Sequence, residues 1–277
     1  MGKIERSWTL VKASWAVLRA DKELIVFPII SSIVLMIVTA SFVLPMFLAG
    51  MFEGGREGIP VLGVVFGFAF YVVQYTIIFY CNSALVGAAL IRLQGGNPTL
   101  ADGFRIANQR IGSIVGYALV AATVGVILRQ ISRHGLVGRI IAGVFGLAWN
   151  LATFLAVPVL VVEGIGPIEA IKRSTQLLKK TWGEQIAGNI GIGLVFGLMS
   201  FAVAIVFGGI VFFSATTQSI PLIVAAAVVM VVALLLLALI GSTLSAIYTA
   251  AVYRYAVSGD AGTFFEPELV RDAFQPR

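Results

Sequence analysis

Five stretches of this sequence carry no charged residue, and each is long enough to cross a membrane as a helix. They cover residues 24–52, 58–91, 111–128, 140–162 and 185–253. A helix crosses the hydrocarbon core of a bilayer with roughly 20 apolar residues. The last stretch must therefore hold two spans, and it breaks at "SATTQSIP" (Ser214 to Pro221), where small polar residues meet a proline. The sequence predicts six spans, at about 24–51, 59–91, 111–128, 140–162, 186–213 and 221–253.

The low charge of the chain agrees with membrane insertion. Charged residues make up 12% of the sequence, about half the fraction of a soluble domain. We therefore predict an all-α integral membrane fold, with one six-span domain over residues 1–257 and a short cytoplasmic tail over 258–277. The positive charges cluster between apolar runs and not along a soluble domain, so we expect membrane lipids and not nucleic acid as partners. The first apolar run is far longer than the core of a signal peptide, so no cleavable signal is expected.

The distribution of lysine and arginine predicts the orientation of the spans. With the N-terminus inside, 15 of the 19 basic residues fall on the inner side. Only Arg56, Arg129, Arg133 and Arg139 fall outside. Because inner loops carry the excess of positive charge, we predict that both termini are cytoplasmic.

One twelve-residue phrase occurs twice, each time before a long apolar run. "IERSWTLVKASW" begins at Ile4 and "IKRSTQLLKKTW" begins at Ile171, and the two agree at Ile, Arg, Ser, Leu, Lys and Trp. Apolar residues at steps of three and four predict amphipathic helices over about 3–20 and 167–182. In the first of them the predicted apolar stripe consists of Ile4, Trp8, Val11, Trp15 and Leu18. With tryptophan on one face and lysine on the other, such helices lie in the membrane interface. The predicted interface residues are Trp8, Lys12, Trp15, Arg173, Lys179, Lys180 and Trp182.

A third amphipathic helix is predicted at about 99–110, within "NPTLADGFRIANQR". Thr99 and Asp102 have the spacing of a capping box. The chain would then consist of three units, each an interfacial helix followed by a helical hairpin. Convergence is the alternative, since any basic interfacial helix draws on Trp, Lys, Arg and Leu.

Two further groups of residues are candidate sites. Arg129, Arg133, His134 and Arg139 form a basic rim between the third and fourth spans, which could hold an anionic headgroup or a phosphate or simply anchor the loop. Pro158 should kink the fourth span. Glu163 follows Pro158. It could cap the next helix, form an ion pair with Lys172 or Arg173, or act as a pivot between the span and that helix.

The sequence offers no basis for catalysis. It contains one histidine, no acidic residue within a span, no metal-ligand spacing and no glycine pattern of a nucleotide site. Catalysis requires activated groups within reach of each other. We therefore expect no enzyme, no cofactor and no metal.

The segments "VVEGIGPIEAIKRSTQLLKKTWGE", "AAVYRYAVSGD" and "RSWTLVKASWAVLRADKELIVFPII" resemble a family of uncharacterised six-span prokaryotic membrane proteins. Glu163, Ala170, Arg173 and Ser174 are more loosely similar to the membrane domains attached to glycerophosphodiester phosphodiesterases. The resemblance implies a plasma (inner) membrane location and no established activity.

Two functions follow as hypotheses. The first is a non-enzymatic membrane protein that binds or organises anionic lipid through three basic interfacial helices around a six-helix bundle. The alternative is a transporter or channel for a lipid or small amphiphile. GxxxG pairs such as Gly193/Gly197 favour close helix contacts, which leaves a homo-oligomer open.

Overall fold

The computed structural model describes residues 3–48, 61–182, 192–216 and 219–271. Six helices in this part of the chain are long and apolar enough to cross a membrane. Four short helices accompany them: α1 (Lys3–Ala20), α4 (Leu100–Gln109), α8 (Pro167–Trp182) and α11 (Pro267–Arg271). The long helices are α2 (Val26–Leu48), α3 (Val61–Leu93), α5 (Ile111–Ser132), α6 (Gly135–Thr153) with α7 (Ala156–Glu163), α9 (Ile192–Thr216) and α10 (Ile220–Ser258). The predicted all-α membrane fold with six spans is confirmed.

Two of the long helices extend well past the thickness of a bilayer. The α10 helix has 39 residues, or about 58 Å at 1.5 Å per residue, and α3 has 33. Their extra turns lie at one end of the bundle, where α3, α7 and α10 finish and where α1, α4 and α8 pack. We call this end the base. Residues 83–90, 155–161 and 250–253 are buried there without a break, whereas only 6% of the Val195–Ser214 window is buried.

The three longer amphipathic helices pack around the base in cyclic order. The long helices form three hairpins, α2 with α3, α5 with α6, and α9 with α10. The α4 helix packs on α3, α8 packs on α7 and α6, and α1 packs on α10 and α9. Each amphipathic helix therefore covers one hairpin, and the N-terminal helix covers the last. The predicted unit was an amphipathic helix followed by a hairpin, and the structure packs each of these helices on the hairpin before it, taken cyclically. The threefold repeat itself stays a prediction.

The helices that finish at the base end in the same way. Gly95, Gly164 and Gly259 follow α3, α7 and α10, with φ of 86°, 66° and 76°. Glycine adopts this left-handed conformation without the steric cost of a Cβ, which is why it ends so many helices. These glycines turn the chain sharply, so α4 and α8 fold back against the helices that precede them.

The fourth span is interrupted directly after Thr153. Pro158 has no N–H and its ring displaces the carbonyl four residues earlier, so the helix breaks at residues 154 and 155 and restarts as α7. The break frees the backbone N–H of Leu155, which is fully buried. That N–H donates to Ser174 Oγ of α8 at 3.0 Å. The serine of the second phrase therefore completes the hydrogen bonding of a broken span.

Replacing Ser174 with alanine should destabilise the protein. A buried donor left without an acceptor costs about 1–3 kcal/mol, and we expect the free energy of unfolding to fall by that amount. The neighbouring Thr175 is the matched control, because it is exposed and its hydroxyl donates to the Ile171 carbonyl of its own helix. Unfolding of the purified protein in increasing mole fractions of SDS would measure both. Equal stabilities of Ser174→Ala and Thr175→Ala would contradict this role for Ser174.

Candidate functional site

One exposed stripe of α1 alternates tryptophan with positive charge. Trp8, Lys12, Trp15 and Arg19 follow at steps of four, three and four, so they share one face of the helix. Trp8 and Trp15 are 46% and 45% exposed. The Lys12 Nζ lies 6.0 Å from the centre of the Trp8 ring, a distance at which an ammonium is attracted to the ring face. We call these four residues the α1 stripe.

The opposite face of α1 anchors the helix to the bundle. Its buried residues are Ser7, Leu10, Val11, Ser14, Val17 and Leu18. The predicted apolar stripe, which joined Trp8 and Trp15 to Val11 and Leu18, is therefore wrong, as is the division of tryptophan and lysine between two faces. The physical reason is that α1 packs on α9 and α10 through small and branched side chains, and its large aromatic rings point away from the protein.

The buried residues of the second phrase occupy the same positions as the buried residues of the first. Ser174, Leu177 and Leu178 of α8 are buried, as are Ser7, Leu10 and Val11 at the matching positions of α1. Lys172, Lys179 and Lys180 are exposed. The side chain of Trp182 lies outside the described residues. Two helices thus present lysine outward and dock through a serine and two aliphatic residues.

The third amphipathic helix has a different surface. Its predicted capping box forms, since Asp102 N donates to Thr99 Oγ1 at 3.2 Å and Thr99 N donates to Asp102 Oδ2 at 3.0 Å. The Thr99 hydroxyl also donates to Asp102 Oδ2 at 2.7 Å. This bond and the one from Thr99 N, with Arg105 nearby, lower the pKa of Asp102. Arg105 is the only basic residue of α4, and it pairs with Asp102 at 2.6 Å. The expectation of three basic interfacial helices therefore reduces to two, α1 and α8.

Glu163 joins three helices at the base. Arg173 Nε donates to both carboxylate oxygens of Glu163 at 3.1 Å, and the Tyr253 hydroxyl donates to Oε1 at 3.4 Å. Arg173 and Lys172 were the two ion-pair partners considered for Glu163. The structure pairs Glu163 with Arg173, and Lys172 is exposed. Arg173 is therefore held by an acid and is less available to a headgroup than Lys179 or Lys180.

The basic rim lies at the end of the bundle opposite the base. Its four residues are exposed, and α5 separates them from the base by 22 residues, about 33 Å of helix. Arg129 donates to the Tyr71 hydroxyl of α3. The rim and the α1 stripe are therefore separate surfaces and do not form one site.

The roles of two charged residues at the base, buried Asp21 and half-buried Arg92, were missed from sequence. Asp21 Oδ1 accepts from Glu23 N at 3.2 Å and so caps the short turn before α2, and burial raises the pKa of Asp21. Arg92 donates to the Gly96 carbonyl at 3.2 Å and lies 5.9 Å from the centre of the Phe264 ring. The N-cap signal of an aspartate before a helix was present in the sequence. The contact with Phe264, so far along the chain, had no such signal.

Two of the cavities between the described helices are lined by both apolar and polar side chains. One of about 570 Å³ opens at the base between α3, α4, α7 and α10. It has aliphatic walls and a polar mouth, where Arg254 pairs with Asp260 at 2.5 Å. The second, of about 450 Å³, lies inside the bundle beside the break in the fourth span. Within the described residues no group of three potential metal ligands comes together.

Comparison with known proteins gives one match. A model described as a family of unknown function, DUF6159, matches residues 61–264. The match covers the chain from the start of α3 to the turn after α10, so it leaves out α1 and α2. No curated protein and no solved structure matches. The looser similarity to the membrane domains of phosphodiesterases receives no support from this match.

Proposed function

The chain belongs to a family of unknown function, DUF6159, and we propose that it is a non-enzymatic, multi-pass membrane protein that binds anionic lipid through α1 and α8. The observation that carries the proposal is the α1 stripe, in which two half-exposed tryptophans alternate with Lys12 and Arg19. Tryptophan prefers the headgroup level of a bilayer. A basic residue near an anionic surface adds about 1 kcal/mol of attraction.

The packing of α1 and α8 supports this role. Both helices are fixed to the bundle by buried serine and aliphatic side chains, so their exposed cations are held in place before any lipid arrives. A preorganised site loses less conformational entropy on binding than a flexible one. Lys179 and Lys180 on α8 add to the positive surface of the base.

We propose that the bound anionic lipid belongs to the cytoplasmic leaflet of a prokaryotic plasma membrane. The sequence predicted 15 lysines and arginines on the inner side of the membrane, and those in the described residues lie at the base. The rim lies at the other end of the bundle. By the excess of positive charge on the inner side, the base faces the cytoplasm. The α1 stripe would then meet the leaflet whose anionic lipids give the surface its negative potential.

The orientation can be tested with one cysteine. In a Cys81→Ser background, Ser132→Cys places a thiol beside the rim, and a membrane-impermeant thiol reagent is added to whole cells. We expect labelling of intact cells, because the proposed orientation puts the rim outside. Labelling that occurs only after lysis would reverse the orientation.

Lipid selectivity tests the function itself. The purified protein is reconstituted into mixtures of phosphatidylglycerol and phosphatidylcholine, each spin-labelled in turn, and the fraction of label immobilised on the protein is measured. We expect phosphatidylglycerol to be enriched over phosphatidylcholine at low salt. The enrichment should shrink at high salt, because exposed charges are screened over about 3 Å at 1 M ionic strength. Equal association of the two lipids at low salt would refute the proposal.

A further inference from the structure

Hydrogen-bonding side chains from several spans line the cavity beside the break in the fourth span. We call it the central cavity. It has a volume of about 450 Å³, and among its lining residues are Ser31, Asn82, Tyr117, Thr153, Ser245 and Thr249. They come from α2, α3, α5, α6 and α10. Polar side chains from five helices therefore line the same cavity.

Two threonine hydroxyls among these groups have lone pairs beyond the bond that they donate. The hydroxyls of Thr153 and Thr249 donate to carbonyls of their own helices, each at 2.8 Å. Their donors are used, but a hydroxyl oxygen has two lone pairs that can still accept. The amide of Asn82 adds both donors and an acceptor. The central cavity therefore offers mostly acceptors, with a few donors.

The lining also limits the charge of a ligand. Among the described residues that line the central cavity, none is an aspartate, glutamate, lysine, arginine or histidine. An ion bound there would be without a partner of opposite charge in a medium of low dielectric, which costs several kcal/mol or more. Aromatic rings form part of the wall, with the centroids of Phe79 and Tyr117 4.6 Å apart. A neutral ligand with both hydroxyl groups and C–H faces fits such a lining.

We propose that the central cavity binds an uncharged polyhydroxy compound, of the size of a polyol or a monosaccharide. Its volume falls within the range of roughly 300–1,000 Å³ of small-molecule sites. It lies against the interruption of the fourth span, lined by Thr153, Phe154 and Val157. Membrane proteins place polar ligands at such breaks in spanning helices. The site is independent of the lipid surface at the base.

The one cysteine of the chain provides the test, because Cys81 lines the central cavity. The native protein in proteoliposomes is treated with methyl methanethiosulfonate, a small neutral reagent, and modification is followed by intact mass. We expect xylitol to slow the modification, and glycine betaine, a zwitterionic osmolyte whose two charges would find no partner in the lining, to have no effect at equal concentration. Since only unoccupied sites react, the rate should fall about tenfold at a xylitol concentration ten times its Kd.

Three outcomes would overturn the proposal. They are equal effects of xylitol and betaine, no effect of either, and a Cys81 that reacts only after unfolding. A second comparison uses Ser245→Leu, which fills the cavity, and Thr123→Leu on the exposed surface of α5. Xylitol should protect Cys81 in the Thr123→Leu protein and not in the Ser245→Leu protein. The native comparison decides the question even where Ser245→Leu does not fold.

Discussion

Replacing Gly103 with leucine is expected to prevent α4 from docking on the bundle. A Cβ at this position would lie 2.5 Å from Cζ of Phe27 and 2.8 Å from the carbonyl oxygen of Ala84. The first neighbour is a buried ring and the second is the backbone of α3, so neither can move aside easily. Overpacking of a rigid core costs about 1–3 kcal/mol and sometimes more. We expect Gly103→Leu to lower the free energy of unfolding by about 3 kcal/mol.

The control for this variant is the same substitution in open space. Beyond its chain neighbours and the backbone of its own helix, Gly112 on α5 has no heavy atom within 4 Å of its added Cβ. Leucine also favours helix over glycine by up to about 1 kcal/mol, so Gly112→Leu should be as stable as the native protein or slightly more so. Unfolding in SDS would be followed by circular dichroism for both variants. A Gly103→Leu protein as stable as Gly112→Leu would show that α4 does not pack as closely as described.

Removing three lysines from the base should greatly weaken lipid selectivity. Lys12, Lys179 and Lys180 are exposed, and each should contribute about 1 kcal/mol at low salt. Replacing all three with glutamine should therefore lower the preference for phosphatidylglycerol by up to about 100-fold, since 1.4 kcal/mol corresponds to a factor of ten. Arg173 is left unchanged, because its removal would leave Glu163 without its ion pair and confuse a loss of stability with a loss of binding.

The arginine version of the same triple variant separates charge from packing. Lys12→Arg, Lys179→Arg and Lys180→Arg keep all three charges, so the selectivity should stay close to that of the native protein. A glutamine variant that still prefers phosphatidylglycerol to the native extent would contradict the role of these lysines. A loss in both variants would assign the effect to side-chain packing instead.

Features encoded by neighbouring residues could be predicted from the sequence. Charge-free runs gave the six spans, Pro158 gave the break in the fourth, and Thr99 with Asp102 gave the capping box. Each signal lies within a few residues of the structure it produces. Two helices extend five residues beyond the predicted spans, since α6 begins at Gly135 and α10 continues to Ser258. A charge-free run marks the apolar part of a helix and not where its hydrogen bonding ends.

Features that depend on distant partners could not be predicted. Periodicity shows that α1 has distinct faces, but it does not show which face meets protein. Ser7 and Ser14 are polar in sequence and buried in the structure, since small side chains let α1 approach α9 and α10. The same limit applies to the central cavity, whose polar residues come from five helices and look like isolated serines and threonines along the chain.

Contact between anionic lipid and the α1 stripe is the central claim, and brominated lipids measure it directly. Of the four tryptophans, Trp149 and Trp182 are replaced with phenylalanine, so that fluorescence reports on Trp8 and Trp15. The protein is reconstituted with brominated phosphatidylglycerol or with the same fraction of brominated phosphatidylcholine. We predict stronger quenching by phosphatidylglycerol, and no difference once Lys12 and Arg19 are replaced with glutamine. Equal quenching of the unmodified stripe by both lipids would contradict the claim.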